Sequence, residues 1–154
     1  MYSWLVLLHL LGFAVFLLAH GVSIFIAFRI RSEPNRGVVV ALLELSRRAA
    51  QVVYLGLALL LVGGIGAAWS AGMLTAPWLV ASYVVLVVVL AVMFAIASPY
   101  YHGLRGELAG TEATPPLDDV GMALRLRTRR PEVLAATGGI GLTVLVALMT
   151  FKPG

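Results

Sequence analysis

Apolar positions along this chain do not alternate with polar ones at the spacing of a strand, nor do they recur as the single stripe of a half-buried helix. They run on without interruption. Four such stretches stand out, at residues 4–28, 52–69, 78–98 and 133–151, and each is long enough to cross a hydrocarbon layer of about 30 Å. A lone strand in lipid leaves its backbone groups unsatisfied, so all four are expected to be helices. Pro131 suits the first turn of the fourth. The pattern predicts an all-α protein, a four-helix transmembrane bundle that occupies 1–154 as a single integral membrane domain. No basic residue precedes the first stretch and no small-x-small cleavage pattern follows a short apolar core, so it reads as a retained helix and not as a signal peptide.

Composition sharpens this picture. Hydrophobic residues make up 61% of the chain and charged residues 12%, against roughly half and about a quarter in an ordinary soluble domain. The absence of cysteine removes disulfides, thiolate metal sites and thiol nucleophiles together. The net charge of +4 does not point to nucleic acid, because the arginines gather beside apolar spans and not along a polar face. Arg29, Arg31, Arg36, Arg47 and Arg48 lie between the first two spans, and Arg105, Arg125, Arg127, Arg129 and Arg130 between the last two. The connection 70–77 is uncharged, and Lys152 is the one basic residue near the C-terminus. By the positive-inside rule both arginine-rich connections face the cytoplasm and both termini face outward, in a bacterial inner membrane. Trp4, Trp69, Trp78 and Tyr2 would then mark the outer boundary, and Tyr54, Tyr100 and Tyr101 the inner one.

Within the long inner connection, 117–130 begins with Asp118 and Asp119 and ends among arginines, the charge order a helix dipole favours. Leu117, Val120 and Leu124 fall at helical spacing. Two expectations follow, a short helix lying on the membrane surface with arginines at lipid phosphates, or a solvated loop. The preceding 110–116 combines Gly, Thr and paired Pro and reads as irregular chain.

Ionisable side chains inside a membrane span carry most of the functional information. His9 and His20 are eleven residues apart, which returns them to one face of the helix about 16 Å apart along its axis. Phe13, Phe16, Ser23 and Ala27 share that face, which should point into the bundle. His20 and Met93 both fall about 6–8 Å inward of mid-span, so a haem with His/Met ligation, or with His20 alone, is permitted. His102 lies about 15 Å deeper than His20, so those two make a poor pair across one porphyrin, and His102 is expected at the interface. Arg47 and Arg48 are candidates for neutralising haem propionates, and equally serve as topology signals. On the outer side His9 and Met149 match in depth, and Met73 in the outer connection can add a third donor for Cu(I). The competing reading of each His is a neutral ring hydrogen-bonded to its neighbours, and of each Met a filler of helix packing.

Small residues are concentrated in spans two and four. Gly64 with Ala68, and Ala135 with Gly139, form small-xxx-small pairs for internal packing or for association with another subunit. No catalytic residue can be assigned. Ser3, Ser46 and Ser70 sit in no nucleophile elbow, and Glu33, Glu44, Glu107, Glu112 and Glu132 lie in inner connections or at helix ends.

The opening segment, with Trp4, His9 and Gly12 spaced along it, resembles the first helix of the copper resistance protein D-like group of bacterial membrane proteins. That group takes in copper-handling proteins, a membrane protoporphyrinogen oxidase family and small haem-associated proteins. The resemblance implies metal or haem at His9. Two functions are therefore expected of this sequence: a haem b or copper protein serving electron transfer or metal handling, or a cofactor-free accessory subunit. The second would pack its glycine-rich helices against a larger membrane partner or another copy of itself, within membrane lipids.

Overall fold

The computed structural model describes residues 1–110 and 115–153. Its helices are α1 (Tyr2–Arg29), which runs into a 3₁₀ turn (Ile30–Ser32), α2 (Arg36–Ser70), α3 (Pro77–Ala109), the short α4 (Asp119–Leu126) and α5 (Arg130–Phe151). Among the described residues there is no strand. α1, α2, α3 and α5 are each long and apolar enough to cross a membrane. Large apolar side chains such as Leu18, Phe25, Phe94 and Ile140 cover their outer surfaces. Such a surface suits lipid and not water.

Local chemistry explains the ends. The Asn35 side chain accepts a hydrogen bond from the Val38 amide and caps α2, and the Asp118 side chain does the same for α4 through the Gly121 amide at 2.7 Å. Pro77 opens α3 from an extended Ala76. Gly110, at φ 69°, closes it in a conformation few other residues take up.

Two helices run well past the apolar stretches that announce them. α2 starts at Arg36 and not near Val52, and α3 continues to Ala109 through Pro99. Charge ends a membrane span but not a helix, since Arg, Glu and Leu are all good helix formers. Pro99 costs one backbone hydrogen bond, while Tyr100, Leu104 and Leu108 just beyond it are fully buried or nearly so. At 35 residues α2 is about 52 Å long, and its first 16 residues, ahead of the apolar stretch, form the arginine-rich end. There it joins the end of α3, the 3₁₀ turn and α4 around a cluster of Ile26, Ile30, Val39, Leu43, Tyr100, Leu104, Leu108, Met122 and Leu126. The best-packed core is this cap and not the middle of the bundle.

Arginines hold the cap together. Arg36 donates to the carbonyls of Leu108 and Leu117, and Arg105 to that of Leu43 at 3.2 Å. Arg125 makes a two-pronged pair with Glu107 at 2.7 and 3.1 Å, and Arg31 binds Glu132 at 2.7 Å. Tyr100 is not a ring at the lipid boundary. It is wholly buried, with the guanidinium carbons of Arg125 and Arg130 at 5.8 and 5.6 Å from its ring centre. The helix expected over 117–130 is realised as Asp119–Leu126. Of the irregular stretch 110–116, residues 111–114 lie outside the described residues, among them Glu112.

Along the spans the helices form two antiparallel pairs, α1 with α2 and α3 with α5, and the pairs touch each other far less than their members do. The α1–α2 seam is made by small residues at heptad spacing, Gly12 and Ala19 facing Ala49, Gly56 and Gly63, with Ile26 continuing the α1 series into the cap. A methyl group on Gly56 would stand 2.5 Å from the Phe16 amide nitrogen, and methyls on Gly12 and Gly63 would collide with the backbones of Leu60 and His9. The pairs Gly64–Ala68 and Ala135–Gly139 are not the seam. Gly64 faces the His9 ring, and a methyl on Gly139 would meet nothing within 4 Å.

Gly12→Ala and Gly56→Ala should therefore each lower stability by about 1–3 kcal/mol, because backbone must move to make room. Gly139→Ala should be neutral or slightly stabilising. Thermal melts of the three variants in detergent check the ranking.

Candidate functional site

Because each helix pair is closed on itself and the two pairs part along the spans, a cavity of about 580 Å³ lies between them. Its walls are almost entirely apolar, drawn from α1, α2, α3 and α5. The His9 face of α1 forms one wall, with Phe13, Phe16 and His20. Met93 of α3, Met149 of α5 and Met73 of the α2–α3 connection line the same space. Five candidate donors far apart in sequence are thus on one cavity.

His20 and Met93 converge over Gly138. The His20 Nε2 lies 2.9 Å, and the Met93 methyl carbon 3.4 Å, from the point a Gly138 Cβ would occupy. A side chain there would fill the cradle the two share. The His20 ring is stacked on Phe16, with centroids 5.5 Å apart and planes within 9°, which fixes its plane.

His9 is held differently. Its Nδ1 lies 2.8 Å from the Leu60 carbonyl oxygen. A carbonyl can only accept, so Nδ1 carries the proton and donates, and in the neutral ring Nε2 keeps the lone pair. The bond exists because residue 64 is glycine: a Cβ there would stand 2.7 Å from Nδ1. Gly138 and His20 share a level, and eleven residues from each toward the chain ends come Met149 and His9. Those two therefore share a second level, about 16 Å from the first. One turn beyond Met149 is Lys152, among the described residues the one charged side chain on the cavity wall, whose Nζ stands 5.6 Å from the Trp78 ring centre.

Other sequence candidates are placed elsewhere. Arg47 and Arg48 are exposed on the outside of α2, where both bind Glu44 at 2.8 and 3.1 Å, and neither reaches the cavity. His102 is exposed on the protruding part of α3. Three features were not singled out from sequence: the Gly138 cradle, Lys152 over Trp78, and Tyr83, which lines the cavity and whose hydroxyl is buried without a hydrogen-bond partner among the described residues. Counting residues along two antiparallel helices from a known contact would have exposed the first; nothing local to Tyr83 marks the third.

Compared with protein-family models, with curated proteins and with solved structures, the chain finds no match.

Gly64→Ala is expected to expel the His9 ring from its seat, with loss of the bond to Leu60, worth about 1 kcal/mol. In ¹⁵N spectra of histidine-labelled protein, the Nδ1–H form of His9 should dominate in the parent and give way in the variant.

Proposed function

We propose that this chain is a membrane-embedded haem b protein, in which the cavity between the two helix pairs would take the haem and His9 would hold its iron. The observation that carries the reading is the His9 ring, tied through Nδ1 to the Leu60 carbonyl on the wall of a 580 Å³ apolar cavity. Metal-binding histidines characteristically donate their other ring nitrogen to a carbonyl or carboxylate, which sets the tautomer and aims the free nitrogen. The volume lies within the range of about 300–1,000 Å³ usual for cofactor pockets. Met149 stands at the depth of His9 as a second donor, and Lys152, one turn further, offers a positive charge to a propionate. Arg47 and Arg48, already paired with Glu44, do not serve this purpose. His20 and Met93 over Gly138 are the donors of an alternative level.

When bound, such a group supplies one-electron chemistry. The residues of the chain hold and orient it and exclude water with Phe13, Phe16 and the aliphatic walls. The reading is completed by a bacterial inner membrane with both termini outside, supported by ten arginines toward the cap end against Lys152 at the other.

A second reading, copper handling, draws on Met73: this thioether of the α2–α3 connection lines the cavity with His9 and Met149, and imidazole with thioethers suits Cu(I).

Protein purified in mild detergent should show a Soret band that shifts on reduction. His9→Ala should abolish it, and Gly64→Ala should weaken haem affinity about 10–100-fold. If the band survives His9→Ala and disappears in His20→Ala, the Met93 level holds the haem. Bound copper in a colourless sample selects the second reading. A colourless, metal-free protein overturns both, and leaves an accessory subunit that packs against a larger membrane partner or another copy of itself.

Orientation has its own check, because the chain has no cysteine to interfere. A single cysteine placed at residue 2 or 152 should react with an impermeant maleimide on intact spheroplasts. One placed at residue 127 should react only after lysis.

A further inference from the structure

α4 buries Met122 and Leu126 in the cap and turns Val120 and Leu124 outward, at 67% and 69% exposure. A helix in water would carry polar groups there. Covalent geometry fixes where this face lies. α5 has 22 residues, about 33 Å, so it fits the hydrocarbon layer from end to end. α4 ends three residues before α5 begins, so its C-terminal turn stands at the boundary of that layer.

The arginines around it divide sharply. Arg29, Arg31, Arg47, Arg48 and Arg125 have carboxylate partners. Arg36 and Arg105 bind carbonyls, and Arg130 stands over Tyr100. Arg127 and Arg129 remain, both exposed and without an ion-pair partner among the described residues. They follow directly on the exposed apolar face.

We propose that α4 docks on the bilayer surface at this end, with Leu124 and Val120 among the upper acyl carbons and Arg127 and Arg129 on the phosphates of anionic phospholipids. Charge complementarity selects this occupant over a protein: two exposed cations, without an ion-pair partner among the described residues, beside an aliphatic pair at headgroup depth match an anionic leaflet. Arg125 and Arg130 take no part, since the cap engages them. Docking would brace α4 and hence the cap it packs into.

A spin label on Leu124→Cys tests this in the full chain, in nanodiscs of phosphatidylcholine alone or with 30% phosphatidylglycerol. With the anionic lipid, oxygen should relax the label more strongly than a water-soluble nickel chelate. The preference should fall at least severalfold in pure phosphatidylcholine, or when Arg127→Gln and Arg129→Gln are combined. Both arginines are exposed, so an unchanged melting temperature would show the double variant folded. A label more accessible to nickel in both lipids would overturn docking. Equal oxygen preference in both would overturn the role of anionic lipid. A label shielded from both reagents would show that a protein covers the face, and would overturn the proposal too.

Discussion

Backbone contact between α1 and α2 sets the plan of the molecule. Gly12, Gly56 and Gly63 let two helices meet with no side chain between them, and in lipid, where no hydrophobic force drives helices together, such contact is what makes a pair. Once those two are zipped, the other helices cannot enter the seam. α3 and α5 form their own pair, with Val89 against Gly141. Two tight pairs of unequal surface do not merge into one close-packed bundle, and the cavity is the space they leave.

Something must still keep the pairs from drifting apart, and the cap does so. It draws residues from α1, the 3₁₀ turn, α2, α3 and α4 into one cluster, beyond the hydrocarbon where burial again stabilises through the exclusion of water. Its arginines bind backbone carbonyls: Arg36 those of Leu108 at the end of α3 and Leu117 just ahead of α4, acceptors that helix end and turn leave open, and Arg105 that of Leu43 within α2. The same residues that read as orientation signals in the sequence are structural ties. The two roles are compatible, since a guanidinium engaged with carbonyls keeps its charge.

The spans were legible because membrane crossing imposes length and apolarity on contiguous residues, a property local in sequence. Helix ends were not: hydropathy marks where lipid stops, whereas α2 and α3 continue for 16 and 11 residues on ordinary helix propensity. The histidine face was legible from an interval of eleven, and the shared depth of His20 and Met93 from rise per residue. Which glycines made the seam was not, because Gly63 and Gly64 are neighbours with opposite duties: one meets the α1 backbone, the other an imidazole. Only the rotation of α2 against α1 tells them apart. That Arg47 and Arg48 lie away from the cavity was hidden for a like reason, since axial depth says nothing of which side of α2 they occupy.

His9 is where the packing constraint and the chemistry meet. Its backbone forms part of the seam, against Gly63, while its ring reaches the Leu60 carbonyl over Gly64. A residue anchored at both backbone and ring has little freedom to reorient, which is the property the proposed donor role requires. A histidine serving only to satisfy itself in lipid has a simpler solution: a hydroxyl or carbonyl of its own helix, as Ser23 finds at Ala19 and Thr143 at Gly139. His9 instead binds across the tightest interface in the molecule and lines the cavity on its other side. The cross-helix bond requires glycine at two successive positions of α2. Glycine is among the costlier residues in a helix interior, and here the two serve at once the close approach of the helices and the fixed orientation of the His9 ring.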